Sequence, residues 1–266
     1  MNKTSILGVP VLMYHALDSP ARPAGAKDVG EHRYILKVTQ FADHLTYLYR
    51  EKFKSFLLEE LLDLGTWPDK AVVITFDDGH ESNYFLALPL LRKFGFKADF
   101  FITTDWIGTD RYMTVDQIRE LHKCGMGIGS HGVTHNFLSN MDEGEVKQEL
   151  RQSMEVLSSI TRGRIVSFSI PGGRVQPCLF AAAEQLGYRI VCASHPGLWK
   201  KGDFSFSIPR LALESGTDMN TYKFMVNGKK AYINKMLIRY NILLFLKKSM
   251  KTDSYEYFRK YILKRI

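Results

Sequence analysis

Short apolar runs alternate with longer segments of helical periodicity along most of this chain. The runs at 9–15, 71–74, 98–103, 126–129, 164–170, 188–193 and 208–213 predict buried strands. Between them, apolar residues recur at helical spacing at 40–51, 56–64, 82–94, 114–124, 142–160 and 177–186, and Gly follows several of these segments. Such alternation with short links predicts a parallel α/β architecture.

The connecting segments carry more local signals. Residues 16–35 are rich in Pro, Gly and Ala and predict a loop near the rim of the sheet. Thr39 is predicted to cap the first helix. Asp142 is predicted to open a strongly amphipathic helix that runs to about Ile160.

Two adjacent carboxylates, Asp77 and Asp78, follow the strand at 71–74 and precede Gly79. Charged groups at the end of a buried strand are costly unless a cation or a reaction uses them. The carboxyl ends of parallel strands are also where α/β proteins build their active sites. An ordinary Asp-Asp-Gly turn would have the same three residues, so this stretch alone does not distinguish a turn from a site.

A pair of histidines favours the site. His131 and His135 follow the apolar segment at 126–129 and are four residues apart, so one helical turn would put both rings on one face. Two imidazoles and a carboxylate are a typical ligand set for zinc or a similar borderline metal. We therefore predict that Asp78, His131 and His135 hold a metal and leave open positions for water and substrate, as in catalytic sites.

These stretches resemble the motifs of a known family, the polysaccharide deacetylases with a NodB-type domain (carbohydrate esterase family 4). Residues 75–79 are similar to the family's first motif. Residues 131–135 are similar to its second motif, with Gly132 where Ser or Thr is usual. The resemblance covers roughly residues 9–215, and the order and separation of the two motifs fit the family.

The resemblance implies a fold and a set of roles. The fold would be α/β, a distorted (β/α) barrel of the NodB deacetylase type with fewer strands than the usual eight. Asp77 would be the general base, and Asp78, His131 and His135 would be the ligands of a divalent metal. Zinc is the default metal, and nickel, cobalt or iron would tolerate the same ligands.

The family's third motif, Arg-x-Pro-aromatic-Gly, is only partly present after the strand at 164–170. Pro171 and Gly173 match it, but Ser169 replaces the Arg and Gly172 replaces the aromatic residue. In the family this Arg orients the base. Its absence at position 169 therefore puts the assignment of full activity in question.

Other groups are available for these roles. Arg174 or Arg210 is expected to approach Asp77 from another direction. The backbone N–H of Gly172, next to Pro171, is a candidate oxyanion donor at the substrate site. A Pro-Gly-Gly sequence is also a simple tight turn, and this alternative stays open.

The resemblance places the general acid on the first strand. The family's fifth motif would end the last strand with a Leu-x-His, but Leu213 stands where that His belongs. In the poly-N-acetylglucosamine deacetylase branch, a segment similar to residues 11–15 is thought to carry this motif after circular permutation, which makes His15 the candidate acid. By the same resemblance Trp199, in the rim loop 194–199, is a candidate platform for a sugar ring.

Length, composition and cysteine content limit the remaining possibilities. With 266 residues, 45% of them hydrophobic and 24% charged, the chain can fold as one large domain with an appendage. No run approaches the roughly 18 apolar residues that span a bilayer, and residues 1–10 lack the apolar core of a signal peptide. Cys124, Cys178 and Cys192 have no metal-like spacing, and this odd number predicts reduced thiols in the cytoplasm.

Positive charge is concentrated in the C-terminal tail. Residues 229–266 contain eleven Lys or Arg against two acidic residues, a net of +9 in a chain whose total is +8. We therefore divide the chain into a catalytic domain at 1–228 and a basic amphipathic helical tail at 229–266. Such a tail is typical of peripheral contact with an anionic membrane, here at its inner face. Packing on the barrel is an alternative, and nucleic acid binding has the charge but no motif.

The sequence as a whole predicts a metal-dependent hydrolase that removes an N-acetyl group from an amino sugar. Its substrate would be a surface polysaccharide, an oligosaccharide or a lipid-linked precursor. A deformylase of a lipid-linked sugar would use the same residues. A catalytically impaired carbohydrate-binding protein that kept the metal is a hypothesis from a different class. The presence of both Asp77 and Asp78 favours the enzyme, because binding alone has no use for a base.

Overall fold

The computed structural model describes residues 8–25 and 31–249 of the chain. Its strands are β1 (Val11–Tyr14), β2 (Ala16–Asp18), β3 (Ile35–Lys37), β4 (Lys54–Ser55), β5 (Ala71–Phe76), β6 (Asp99–Ile102), β7 (Gly127–Ser130), β8 (Ser167–Ser169), β9 (Ile190–Cys192) and β10 (Leu211–Ala212). Its α-helices are α1 (Val38–Arg50), α2 (Leu58–Asp63), α3 (Leu88–Phe94), α4 (Val115–Lys123), α5 (Glu143–Thr161), α6 (Pro177–Leu186), α7 (Met219–Val226) and α8 (Lys230–Ser249). A π-helical turn, Asn83–Ala87, leads directly into α3.

Seven parallel strands form a barrel in the order β10-β1-β5-β6-β7-β8-β9. The two ends of this order meet, because Ile208, just before β10, forms a parallel bridge with Cys192 of β9. The short strand β4 pairs with the first residues of β5, and β2 pairs with β3 apart from the barrel. The distorted barrel that the resemblance implied is confirmed.

The strands direct alternate side chains to the helices and to the barrel interior, which explains where the chemistry lies. Along β5, residues 72, 74 and 76 belong to the core under the helices, whereas Ala71 and Val73 belong to a second buried cluster inside the barrel. By the same alternation Thr75 and Asp77 continue the inner column. This column changes from apolar at the amino end to polar at the carboxyl end, so the polar groups gather at one rim.

Three local predictions were wrong. The segment 16–35 is not only a loop, because β2 and β3 lie within it and pair with each other. The backbone of Lys37 is extended and directly precedes α1, so Thr39 lies inside the helix and does not cap it. The strands predicted at 164–170 and 208–213 extend only over Ser167–Ser169 and Leu211–Ala212, because only these residues keep regular pairing in the barrel.

The helix α8 lies within the predicted tail at 229–266, and α7 precedes it at the end of the predicted catalytic domain. The carboxylate of Asp218 caps α7 by accepting the N–H groups of Asn220 and Thr221. The described part of the tail, α8, carries apolar residues on two opposite sides. The structure does not describe residues 1–7, 26–30 and 250–266. The prediction for residues 1–10 and that for the tail therefore fall partly outside the described residues. None of the described helices has the length and apolar character needed to cross a bilayer.

Candidate active site

The carboxyl ends of β1, β5 and β7 bring the predicted catalytic and metal-ligating residues to one rim of the barrel. β1 and β5 are parallel neighbours, so His15 and Asp77 follow at adjacent strand ends. The N–H of His131 donates to the carbonyl of Ile102, which ties the start of the histidine loop to the end of β6. Residues separated by more than a hundred positions thus meet at one place.

Asp78, His131 and His135 form a compact group of possible metal ligands. Their donor atoms all lie within 4.8 Å of one another, and within the described ranges no other group of three such side chains does so. Asp78 Oδ1 lies 3.3 Å from Nε2 of His131 and 3.3 Å from Nε2 of His135. The predicted ligand set is therefore assembled in space, with Asp78 and His135 partly exposed and His131 buried.

The chemistry of this donor set fits a cation. His131 Nδ1 lies 2.8 Å from the carbonyl oxygen of Ser169, which can only accept, so Nδ1 carries the proton and Nε2 presents a lone pair. Asp78 Oδ1 is buried and has no hydrogen-bond partner among the described residues. Lone pairs that face one another at this distance repel unless a proton or a metal ion lies between them. The arrangement is that of a site for a divalent metal.

Protons and a metal would compete for this site. Burial alone would lower the pKa of His131, but the charges of Asp77 and Asp78 outweigh burial and raise that pKa. Burial would raise the pKa of Asp78, but His131 and His135 hold it well below its usual range. The carboxylate therefore stays ionised, as a metal ligand must.

The loop between the two histidines is held by a buried acid, Glu149, which was not predicted from the sequence. Glu149 of α5 is only 6% exposed, and its Oε2 accepts the backbone N–H groups of Val133 at 2.6 Å and Thr134 at 3.2 Å. The loop residue Gly132 has φ of +83°, and a Cβ there would lie 2.8 Å from Glu149 Oε2. This explains why Gly stands where the resembling motif has Ser or Thr, since a larger side chain would press on the carboxylate that holds the loop.

Asp77 is held by the buried guanidinium of Arg210. Nη1 donates to Asp77 Oδ1 at 2.7 Å and Nη2 donates to Oδ2 at 2.8 Å, and the Ser169 hydroxyl donates to Oδ2 at 3.1 Å. Asp77 is 3% exposed and Arg210 is 1% exposed. Burial would raise the pKa of Asp77, but the charge of Arg210 outweighs it and lowers that pKa. Of the two arginines considered as replacements, the structure thus selects Arg210.

His15 faces both carboxylates from the end of β1. Burial lowers its pKa, and the charges of Asp78 and Asp77 partly offset this. Its ring stacks on Tyr34 with centroids 4.5 Å apart, and Nδ1 is buried with no hydrogen-bond partner among the described residues. Asn83 donates to its backbone carbonyl at 2.7 Å. His15 thus lies close enough to Asp78 and Asp77 for their charges to affect its pKa.

Comparison with known proteins agrees with this geometry. The sequence profile of the polysaccharide deacetylase family matches residues 65–191, a region that contains Asp77, Asp78, His131 and His135. The matched region makes up a little less than half of the chain, and it is similar to the polysaccharide deacetylases. His15 and Arg210 lie outside the matched region, in segments that flank it.

Individual relatives of this chain differ in how much of their length they share with it. The protein YxkH of Bacillus subtilis (strain 168), which is named for the same family, is 26% identical over 226 residues, 84% of this chain and 77% of that protein. The poly-β-1,6-N-acetyl-D-glucosamine N-deacetylase of Staphylococcus aureus (strain MSSA476) is 31% identical over 101 residues, 35% of either chain. The structure of the Streptococcus pyogenes deacetylase PplD shows the same fold, with a TM-score of 0.73 and 23% identity over 82% of this chain and 98% of that one.

The turn that carries the partial third motif of the deacetylases is shaped by a neighbouring aromatic ring. Gly172 has φ of +61°, and a Cβ there would lie 2.3 Å from the ring of Phe137. The guanidinium of Arg174 lies 3.9 Å above the same ring, so Arg174 contacts Phe137 rather than the base. Phe137, two residues after His135, thus fills the space that an aromatic side chain at position 172 would need. Gly172 and Pro171 remain candidates for the oxyanion and substrate site.

The prediction that Trp199 is a sugar platform is wrong for the structure described. Trp199 is 1% exposed, and its ring meets that of Trp67 edge to face at 4.9 Å. The backbone N–H and carbonyl of Trp199 pair with the backbone carbonyl and N–H of Val9. This pairing places the ring in the apolar cluster inside the barrel. An aromatic side chain with no exposed face cannot stack on a substrate, so Trp199 is a core residue.

Several residues of this rim were not identified from the sequence. Trp106 lies against the ligand His135, with ring centroids 4.7 Å apart, and the backbone N–H of Asp105 donates to the carbonyl of Val133 at 3.0 Å. An acid on the buried face of a helix was a usable signal for Glu149, since that face is otherwise uncharged. Trp106 gave no such signal, because a single aromatic residue after a strand is common in cores.

Proposed function

We propose that this protein is a metal-dependent hydrolase that removes an N-acetyl group from an amino sugar in an oligosaccharide, a surface polysaccharide or a lipid-linked precursor. Similarity to the polysaccharide deacetylase family supports the hydrolase class. The metal dependence and the substrate are the parts that go beyond it. The single observation that carries the proposal is an ionised, immobilised Asp77 next to three convergent metal ligands.

The hydrogen bonds of Asp77 leave it able to act as a base. A carboxylate has about four lone-pair positions. Arg210 occupies one on each oxygen, and the Ser169 hydroxyl occupies a second one on Oδ2. The remaining lone pair of Oδ1 is free to accept a proton from an attacking water molecule. A carboxylate used only to bind sugar would not need this fixed orientation.

The other residues would serve the later steps. When held by Asp78, His131 and His135, a divalent metal such as zinc, or nickel, cobalt or iron, would supply a Lewis acid for the acyl carbonyl and lower the pKa of water. The N–H of Gly172 would donate to the developing oxyanion. In its protonated form, which the charges of Asp78 and Asp77 favour, His15 would give a proton to the amine as it leaves.

The alternative of a carbohydrate-binding protein without turnover loses its main support. It rested on the missing Arg at position 169 and the displaced fifth-motif His. Arg210 supplies a bidentate contact to the base, with its Nη2 also donating to Ser169 at 2.8 Å, so the loss of one Arg is compensated. Asp77 is therefore supported as a base in this chain.

The substrate class is proposed from the relatives. The Staphylococcus aureus relative is named for poly-β-1,6-N-acetyl-D-glucosamine, but it shares only 35% of its length with this chain. We therefore take β-1,6-linked N-acetylglucosamine oligomers as the first substrate to test, followed by lipid-linked N-acetyl and N-formyl sugars. We also propose a cytoplasmic location with peripheral contact between the basic tail and the inner face of an anionic membrane.

The test is release of acetate and formate from this panel by metal-loaded wild-type protein and by Asp77→Asn. We expect acetate release by the wild type and a decrease of about 10²- to 10⁴-fold in Asp77→Asn, because the general base is lost. Metal content should be equal in the two proteins, since Asp77 is not a proposed ligand. Formate release without acetate release would instead support the deformylase.

A control separates the base from general charge effects at the rim. Asp105 is exposed on the neighbouring loop, and Asp105→Asn should keep wild-type activity. If no panel member releases acetate or formate while metal is bound and a sugar binds with measurable affinity, the binding protein becomes the better interpretation.

A further inference from the structure

The helix α8 presents two apolar faces on opposite sides. One face carries Ile233, which is 9% exposed and belongs to the core, together with the half-buried Met236 packed against it. The opposite side carries Ile238, Ile242 and Phe245, which are 61%, 40% and 68% exposed. Their spacing of four and three residues aligns them along the helix, and we call them the outward face of α8.

Cations of α8 border this outward face, and α8 itself contains no acid. The 20 residues of α8 contain five Lys or Arg and no Asp or Glu. Lys235 and Arg239 follow the edge of the face, three residues from Ile238 and from Ile242 respectively. Exposed apolar groups flanked by long cationic side chains match a surface that has hydrocarbon beneath a layer of negative charge.

Other occupants of the face fit its charge or its apolar residues less well. A second copy of the chain would oppose five cations of α8 with five more, and the following residues 250–266 are also net positive, with five Lys or Arg against two acids. Like charges at such a contact cost free energy. A nucleic acid would match the charge, but it offers no hydrocarbon for Ile238, Ile242 and Phe245.

We propose that the outward face of α8 docks on an anionic membrane, with its apolar residues inserted at the lipid interface and its cations against the headgroups. This deepens the peripheral contact proposed above by assigning it to particular residues, and it does not depend on the deacetylase reaction. Ile233 and Met236 of α8 pack against the core, so docking by the outward face requires no rearrangement of the barrel.

The experiment is co-sedimentation of the full chain with phosphatidylcholine vesicles prepared with and without phosphatidylglycerol. We expect binding to the anionic vesicles alone, weakened by salt. Lys235→Gln with Arg239→Gln should weaken binding about fivefold for each cation removed. Ile238→Ser with Phe245→Ser should weaken it about tenfold or more, because apolar insertion is lost.

Tyr49→Ser is the matched control, because it removes a 62% exposed aromatic residue from α1 and should leave vesicle binding unchanged. Acetate release from soluble oligosaccharide should be the same in all these variants, which separates failure of docking from failure of the proposed activity. Equal binding to neutral vesicles, binding unaffected by the α8 variants, or no vesicle binding would overturn the proposal. A dimer that forms through α8 in analytical ultracentrifugation would also overturn the proposal. DNA binding that is unchanged in the Phe245→Ser variant would overturn it as well.

Discussion

A single buried ion pair sets the state of the base. The guanidinium of Arg210 uses both terminal nitrogens on Asp77, and its Nε donates to the carbonyl of Ala193 at 2.9 Å. Burying two charges is costly, and the cost is offset only where the remaining donors and acceptors are also bonded. Here Thr75 and Ser169 complete the set, so neither charged member can be removed alone without leaving the other unpaired.

The first prediction concerns this ion pair and the substitution Arg210→Met. This change leaves the Asp77 carboxylate buried without a counter-charge, so we expect a loss of about 3–5 kcal/mol in the free energy of unfolding. Acetate release should fall at least about a hundredfold, because the base loses its orientation. Urea unfolding and steady-state kinetics measure the two effects separately.

Three further variants distinguish this ion pair from simple packing. Arg210→Lys keeps the charge but not the bidentate contact, so activity should fall while most of the stability remains. Asp77→Asn combined with Arg210→Met should regain stability relative to Arg210→Met alone. Arg174→Met, which removes only the cation above Phe137, should change stability by less than about 1 kcal/mol. Equal losses for Arg174→Met and Arg210→Met would contradict the special role of Arg210.

How far the residues of the site could be predicted depended on how local their signals were. Asp77, Asp78, His131 and His135 lie in two short motifs, so sequence spacing was sufficient to identify them. Arg210 could be named only as one of two candidates, because its contact with Asp77 crosses 133 positions and depends on the order of strands in the barrel.

Trp199 was misassigned for a similar reason. It lies in a loop next to polar residues, which suggests exposure, but its backbone pairing with Val9 turns the ring inward. Local composition carries no information about this pairing, since the two segments are far apart in sequence. Glu149 could have been found, because a charged residue on an otherwise uncharged buried helix face needs a partner.

Among the structural elements, the junction between β6 and α2 contains a buried acid that the proposed reaction does not use. Asp99 begins β6, is 4% exposed and accepts the N–H of Leu58, at the start of α2, at 3.0 Å. Burial, together with Glu60 and Glu59, raises the pKa of Asp99 to about 7. The folded protein therefore holds a proton on Asp99 at pH values where the unfolded chain has released it.

The second prediction follows from the sign of this shift. The pKa of Asp99 is higher in the folded protein than in the unfolded chain. The contribution of Asp99 to the free energy of unfolding therefore falls as pH rises from the unfolded pKa of 3.8 to about 7, and it is constant above pH 7. Asp99→Asn keeps an acceptor for Leu58 without the charge. It should therefore be more stable than wild type near pH 8, by at most about 4 kcal/mol, and the difference should vanish near pH 4.

Chemical unfolding of both proteins across this pH range tests the prediction. Asp110→Asn removes a carboxylate whose side chain is 89% exposed, so it should leave the pH dependence unchanged. If Asp99→Asn and wild type show the same slope between about pH 4 and pH 7, Asp99 does not titrate in the folded protein as expected.

The elements themselves could be predicted better than their ends. Apolar runs of strand length and helical periodicity identified the barrel strands and the helices around them, because burial on one or both faces leaves a direct trace in the sequence. The ends of β8 and β10 could not be placed, since pairing there depends on how the barrel closes between Ile208 and Cys192. The second apolar face of α8 was also missed, because a helix with apolar residues all round gives little periodic signal.

For the molecule as a whole, the candidate metal site exists only when strands β5, β6 and β7 are paired. Asp78 follows β5 and the histidines follow β7, with β6 between them in the sheet. An unfolded chain cannot hold these three donors within 4.8 Å, so a metal should bind the folded protein far better than the unfolded one. Binding and stability are therefore linked, which allows the site to be tested without a substrate.

The third prediction is that zinc stabilises the chelator-treated protein through this site. At a free zinc concentration near 100 times the Kd, the expected gain is about 2.7 kcal/mol, or roughly 5–10 °C in Tm for a chain of this size. Asp78→Asn should abolish most of the gain, because a neutral amide is a poor ligand. Asp69→Asn, an exposed carboxylate at the opposite end of β5, should keep it in full. A zinc-induced shift that survives Asp78→Asn, or is absent from the wild type, would show that Asp78, His131 and His135 do not form the metal site.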